Sequence, residues 1–402
     1  MGELTSLEHN AVERAGAEPM LAQVEQWATV NSGSSNLVGL DTMAAMLAEA
    51  FSALPGTLNL VQAAPVKHVE PDGRVRELDH GRHLHLMVRP DAPVQLLFTG
   101  HMDTVYGADH PFQSLTWKEA GVLGGPGVAD MKGGLAVMLA ALRAAESTSL
   151  ASGLGYEIVI NSDEEVGSPS SAALLAQAAR GKRAALTYEP AALPDGTLAG
   201  ARPGSGNFSF VIAGRSAHAG RNPEDGRNAI VAAADLALRL DKGKGPRLSV
   251  NVARVDGGGP NNVVPDHAVL RVNLRPATAE DQARAQSLID AAVAMVAAEH
   301  DVQVHVHGGF GRPPKPMSAG AERLFGLVRQ AGADLGQSIG WQPSGGVCDG
   351  NNIAACGVPV VDTMGVRGGK IHSMEEYLIV ESLAERAALS ALTVLRLAAG
   401  AQ

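Results

Sequence analysis

The stretch Leu96-Leu97-Phe98-Thr99-Gly100-His101-Met102-Asp103-Thr104-Val105 decides how this chain folds. With Val94 and Gln95 ahead of it, the segment opens as a compact, largely apolar run over 94–99 that closes on a glycine. A run so short and so bounded reads as a strand buried on both faces. His101 and Asp103 follow at once, two residues apart, and share one side if the extended geometry continues. An imidazole there binds a metal ion while the carboxylate holds its other nitrogen; a histidine at a strand end also serves as a hydrogen-bonded structural residue.

Moving outward, comparable runs occur at 156–161, 184–188 and 358–364, interspersed with helical patterns at 40–54, 134–145, 170–179 and 381–397. Strands alternating with helices predict an α/β core with helices on both faces of a sheet. The segment 206–309 has another character, with period-two strands that each keep one solvent-compatible face. Phe208, Phe210 and Ile212 share a side in 207–213, as do Ala268, Leu270, Val272 and Leu274 in 268–275. With helices at 228–240 and 280–299 and further strands at 248–255 and 302–307, the order is β-α-β-β-α-β, a ferredoxin-like unit. Core strands lie on both sides of it, so it reads as an insertion at Gly/Pro-rich connections near 202–206 and 308–316. The expected organisation is a catalytic domain built from 1–205 and 312–402, interrupted by a second domain at 206–311.

A length of 402 residues agrees with two domains, and 45% apolar content is ordinary for a packed core. The formal net charge of -10 and the lack of a dense Lys/Arg stripe argue against nucleic acid or an anionic membrane as partner. No apolar run approaches a bilayer's thickness, and the N-terminus lacks the charged-then-apolar order of a secretory signal. Two cysteines, Cys348 and Cys356, make no disulfide scaffold, and a reducing cytoplasm is the expected home.

Four further segments join the first beyond strand ends or in glycine loops, where open α/β sheets gather their ligands. GGPGVADMKGG (124–134) presents Asp130 just before a helix. Its pattern fails the dinucleotide fingerprint, because Asp130 stands where the third glycine belongs, and a carboxylate there repels phosphate and attracts a cation. As an alternative, Asp130 is simply the cap of that helix. VINSDEEVGS (159–168) offers adjacent Glu164 and Glu165, which diverge if the backbone stays extended, one toward a metal and one toward its water. ALTYEP (185–190) ends a strand on Glu189, and GGKIHSMEEY (368–377) holds His372 in a glycine-rich loop. His101, Asp130, Glu165, Glu189 and His372 form a mixed nitrogen and oxygen set suited to zinc or another divalent transition metal. Five ligands exceed the need of one catalytic zinc with an open position, whereas two metals sharing a carboxylate use them all.

The segments GHMDTV, GPGVADMKGG, NSDEEVGS, TYEP, SGGVCDGNNIAA and GGKIHSMEEY resemble, in order and spacing over nearly the whole chain, a zinc-peptidase family. That family contains glutamate carboxypeptidase, acetylornithine deacetylase, succinyl-diaminopimelate desuccinylase and aminoacylase, and the glutamate carboxypeptidase-like members are the nearest in pattern. The resemblance implies an α/β/α sandwich catalytic domain with an inserted ferredoxin-like lid that dimerises, and two Zn2+ per subunit, with Co2+ or Mn2+ possible. It assigns His101 and Glu189 to one zinc, Glu165 and His372 to the other, and Asp130 to both. Glu164 becomes the general base and Asp103 the residue that orients His101. In the lid, GRSAHAG places His218 where it reaches a neighbouring subunit's active site to stabilise an oxyanion. GGGPNNVVPDHA places Asn262 at a substrate contact, and Arg275 and Arg312 resemble carboxylate-binding arginines.

The activity so implied is hydrolysis of the amide bond of an N-acyl amino acid or short peptide. In the family it resembles, carboxypeptidases and deacylases tend to carry Glu where aminopeptidases carry Asp, so Glu189 implies a substrate with a free α-carboxylate, and Arg275 and Arg312 agree, since guanidinium grips carboxylate in a fork. The segment after Glu189 has no lysine and only Arg202, which departs from the glutamate-specific pattern. Two rival readings are a dipeptidase or aminopeptidase of the same fold and a catalytically silent member that binds a ligand.

Overall fold

In the computed structural model, which describes residues 4–401, alternate residues of the strand Val94–His101 face two different apolar cores. Leu96 and Phe98 join Ile158, Ile160, Ala184 and Leu186 in one cluster, while Leu97 joins Val159 and Ala185 in another. This is the expected strand buried on both faces, and burying each Leu or Phe fully contributes about 1.5–3 kcal/mol. The sheet has six strands in the order Thr57–Val61, His83–Val88, Leu154–Asn161, Val94–His101, Ala184–Thr187 and Val360–Val361. The last four run parallel, and the first two add an antiparallel edge that the sequence pattern did not single out.

The register sets the site. His101 lies opposite Asn161, and Thr99 opposite Thr187, so three neighbouring parallel strands end at one edge. The residues that follow them, Glu164, Glu165 and Glu189, start from that same edge.

The helix Gly133–Glu146 is buried on every side except at Arg143 and Glu146. Apolar all round, it is a core helix, packed against Glu381–Ala398 and Ser6–Gly16. Helices Ala172–Ala179 and Asp349–Ala355 contribute to the cluster on the opposite face. Ser6–Gly16, Met20–Ala28 and Ala319–Asp334 are helices outside the sequence expectation. A small antiparallel sheet, also unexpected, joins Gly368–Gly369, Tyr377–Ile379, Val122–Gly124 and Thr116–Glu119. By pairing Gly124 with Tyr377 it ties the loop of Asp130 to the loop of His372.

Between Ser205 and Arg312 the chain runs β-α-β-β-α-β, with sheet order Leu248–Gly257, His267–Pro276, Ser205–Ala213 and Gln303–Arg312, all antiparallel. Phe208, Phe210, Ile212, Ala268, Leu270, Val272 and Leu274 form an apolar cluster with the helices Ala229–Asp241 and Ala279–His300, as their period-two pattern requires. The entry and exit strands run side by side: Arg202 and Lys315 exchange backbone hydrogen bonds of 2.9 and 3.0 Å, and Ser205 pairs with Arg312. A hairpin, Val66–Val69 with Val75–Leu78, reaches the same unit where Arg271 Nη2 donates to the Val69 carbonyl at 2.7 Å. Among the described residues no helix is long and apolar enough to cross a membrane.

Two glycines clamp the backbone that carries Glu189. A Cβ on Gly134 would sit 1.9 Å from the Tyr188 carbonyl oxygen, and one on Gly365 would sit 2.3 Å from that oxygen and 2.6 Å from the Glu189 carbonyl oxygen. Gly134 therefore lets the core helix touch the strand end. Gly134→Ala should destabilise the protein by about 1–3 kcal/mol through overpacking, read as a lower urea midpoint. An unchanged midpoint would show that the helix does not need this close approach.

Candidate active site

His101 ends its strand almost wholly buried, and its Nε2 lies 3.1 Å from Asp130 Oδ1 and 3.7 Å from Glu189 Oε2. His372 approaches from the other side, with Nε2 3.3 Å from Asp130 Oδ2 and 3.1 Å from Glu165 Oε2. The five candidate ligands thus divide into two sets that share Asp130, one oxygen toward each histidine. Proximity alone does not separate the sets, because donor atoms of His101, Asp130 and Glu165 lie within 4.8 Å of one another, and so do those of His101, Glu164 and Glu189. The nearest contacts do separate them. His372 sits in the left-handed region at φ 61°, and its side chain is 53% exposed, so this histidine marks the open side of the cluster.

Local backbone explains how each carboxylate arrives. Asp130 is not a helix cap: the helix Gly133–Glu146 starts after Lys132 without a side-chain cap, and Asp130 lies in a non-helical turn before it. That turn is held by Glu376, whose Oε1 accepts from the backbone N–H groups of Ala129 at 3.0 Å and Asp130 at 3.1 Å. Its Oε2 accepts from Gly127 N–H at 3.3 Å and Tyr106 O–H at 2.9 Å. The backbone does not stay extended at Glu164 and Glu165: Glu164–Val166 turns into a 3-10 helix, and each glutamate still offers a donor atom to the cluster. Asp103 fixes that turn: its carboxylate accepts from Glu164 N–H at 3.1 Å, Glu165 N–H at 3.2 Å and Ser34 Oγ at 2.7 Å. Its bond to His101 is largely through the backbone, with Nδ1 2.9 Å from the Asp103 carbonyl oxygen and 3.4 Å from Oδ1.

So many buried acids repel one another. Burial, and then Asp130, pushes Glu165 up to about 8. Burial pushes Glu164 up to about 7 against the pull of Arg312. Glu189 is raised by burial too. Asp130 goes the other way: burial opposes its charge, but hydrogen bonds to His101 and His372 hold it below the usual carboxylate range. Hydrogen bonds to Asp130 and Glu165 push His372 up to about 11. Carboxylates crowded at this spacing, with imidazole nitrogens among them, call for positive charge between them, and the donor set fits divalent transition metals.

Residues 97–396 match the family described as Peptidase family M20/M25/M40. The chain belongs to that family. It is 33% identical over 319 residues to carboxypeptidase G2 of Pseudomonas sp. (strain RS-16), covering 76% of this chain and 74% of that protein. A succinyl-diaminopimelate desuccinylase of Maricaulis maris is 31% identical over 313 residues, covering 71% and 77%. Among solved structures, a tripeptidase from Staphylococcus aureus superposes with a TM-score of 0.71 at 23% identity, covering 96% of this chain and 99% of that one. The YXEP protein of Bacillus subtilis, described as a dinuclear metal-binding peptidase, superposes with a TM-score of 0.62 at 18% identity, covering 94% and 97%. This M20 peptidase fold, an α/β sandwich with an inserted ferredoxin-like unit, is the one the motifs implied, and the chain is a metallohydrolase of amide bonds.

Other sequence-derived site residues lie elsewhere or are occupied. Arg312 is buried, and its Nη1 donates to Glu164 Oε1 at 2.6 Å. Arg275 donates to Asn273 Oδ1 at 3.1 Å and to the Gly345 carbonyl at 3.0 Å, bracing the inserted sheet against a loop. Both arginines meet local acceptors, which a motif does not disclose. His218 and Asn262 are exposed and adjacent, with Ala219 N–H donating to the Asn262 carbonyl at 2.9 Å. Among the described residues, no hydrogen bond or ion pair links that pair to the carboxylate cluster. Arg202 is buried and forked onto Asp362 at 2.8 and 3.1 Å. Cys348 is buried and Cys356 exposed, and both are free thiols.

The sequence reading passed over Glu376 and Asp349, although both lie in quoted motifs. The signal for Glu376 was its place four residues after His372, in a loop already assigned to the site. Glu376→Gln should weaken metal binding about 10–100-fold by loosening the turn of Asp130, since supports of ligands typically matter that much. Competition with a chromophoric chelator measures it, and wild-type affinity in the variant would show that the turn holds without this carboxylate.

Proposed function

We propose that this enzyme removes the acyl group from an N-acyl amino acid, or the last residue from a short peptide, at a centre of two divalent cations, with a free α-carboxylate on the substrate. His101 and Glu189 would hold one cation and Glu165 and His372 the other, with Asp130 serving both. Zinc suits this mixed set best, with cobalt or manganese as substitutes. Bound there, such cations bring the pKa of water to about 7 and polarise the scissile carbonyl.

Glu164 carries the reading. It is a buried carboxylate at the edge of the cluster that neither ligand set needs, within 4.8 Å of donor atoms of His101 and Glu189. Pushed up to about 7 by burial, it suits taking a proton from water and handing it to the leaving amine near neutral pH. Asp103 holds the backbone on which Glu164 rides, and His101 through its Nδ1. The exposed His218 and Asn262 fit a role completed by a second copy of the chain, in a homodimer. Two free cysteines fit a cytoplasmic enzyme.

Relatives named carboxypeptidase and desuccinylase support an acylated amino acid as substrate. A dipeptidase or aminopeptidase reading draws on one observation, that Arg275 and Arg312 both have partners inside the protein. In the described segment 190–206 the one cation, Arg202, is spent on Asp362, so glutamate is not proposed as the preferred leaving residue.

Glu164→Gln should keep its metal content by elemental analysis and lose about 10²–10⁴-fold in kcat. Near wild-type turnover at full metal occupancy would remove Glu164 from the role of base. A panel of N-acetyl and N-benzoyl amino acids, free dipeptides and the carboxamide of each, with zinc, manganese or cobalt added, separates the substrate readings. Hydrolysis should favour the acylated compounds with a free carboxylate; preference for unacylated dipeptides would establish the dipeptidase.

A further inference from the structure

We propose that Arg312 is a positioning residue for Glu164, holding the carboxylate from the edge of the inserted unit, and not the clasp of a substrate carboxylate that its motif implies. The inference rests on the reading of Glu164 as the base.

The geometry is a fork closed on one residue. Arg312 Nη1 donates to Glu164 Oε1 at 2.6 Å, while Nη2 donates to the Glu164 carbonyl oxygen at 2.8 Å and to Ser168 Oγ at 3.1 Å. Gripping both the side chain and the main chain of Glu164 fixes its rotamer as well as its charge, which single-point contacts do not. The guanidinium is itself set from behind. Asp349 Oδ1 lies 3.6 Å from Nη2 and accepts from Ser168 Oγ, and Asp349 Oδ2 accepts from Asn161 Nδ2 at 2.7 Å. Asn161 is the sheet partner of His101, so hydrogen bonds run from the strand ends under the site to the base.

Releasing Arg312 to a substrate would leave Glu164 and Asp349 as buried acids without their shared cation, an arrangement that is strongly unfavourable. The arginine is also the last residue of the strand Gln303–Arg312 and pairs with Ser205, where the chain enters the unit. The placement of Glu164 is thereby tied to the junction of the two folds.

The test uses the metal-loaded, full-length enzyme with Arg312→Gln, Arg312→Lys and Ser168→Ala, each checked for metal content and far-UV circular dichroism. With the best N-acyl amino acid of the panel and its carboxamide, the arginine variants should lose about 10–100-fold in kcat, the scale expected when a base is misplaced. KM and the preference for carboxylate over carboxamide should stay as in wild type. A raised KM with kcat retained, or loss of the carboxylate preference, would restore the clasp and overturn the proposal. Ser168→Ala removes one support of the guanidinium and should show a smaller kcat loss with the same split; should the arginine variants not fold, it carries the test, and a change in KM alone overturns the idea. Crystal structures of metal-loaded wild type and Arg312→Gln give a readout free of turnover. The Glu164 carboxylate should leave its place in the variant while the five ligands stay, and an unmoved Glu164 refutes the positioning role even if the panel finds no substrate. Inactivity of Glu164→Gln with an unaffected Arg312→Gln would separate failure of this inference from failure of the functional reading.

Discussion

The two oxygens of the Asp130 carboxylate each face an imidazole, and much of the catalytic half of the chain serves to keep that arrangement in place. A buried carboxylate is expensive unless it is paired, and here Asp130 is crowded by Glu165 and Glu189 as well. Its backbone is therefore fixed by Glu376, its loop is stitched to that of His372 by a small sheet, and the core helix behind it carries glycines for close approach. A strand end carries His101, while Asp130 and His372 lie in loops that the Glu376 hydrogen bonds and the small sheet hold in place.

Beneath the acidic cluster lies a second layer of buried charge in which cations offset acids. Arg312 stands between Glu164 and Asp349, while Arg202 and Lys315 both meet Asp362. Neutralised in this way, the lower layer gives the upper one a fixed floor without competing for cations. It also explains why arginines whose residue type fits carboxylate recognition are found inside the protein. Their forks are already filled by acceptors of this chain.

The inserted ferredoxin-like unit has its own apolar core and meets the rest of the chain through two strands running side by side, one hairpin and the Arg275 bond to the loop at Gly345. Such a junction passes few contacts, yet it contains Arg202, Lys315 and Arg312, the cations of the lower layer. The exposed loops bearing His218 and Asn262 lie on the unit and are joined to each other by backbone hydrogen bonds.

The sequence by itself determined the alternation of strands and helices, the period-two faces of the inserted unit and the five candidate donors. These depend on local pattern: apolar runs of a few residues, a repeat of two, and acids or histidines placed just beyond strand ends. Only the tertiary structure decided that the backbone turns at Glu164, with both glutamates offering donor atoms to the cluster, and that Glu376 and Asp103 grip backbone amides. It alone assigned Arg312 and Arg275 to partners inside the protein. The physical reason is distance along the chain: Glu376 bonds to Asp130 across 246 residues and Arg312 to Glu164 across 148, so no local pattern records either pairing. Residue type tells what an arginine can bind, and the packed fold tells what has already bound it.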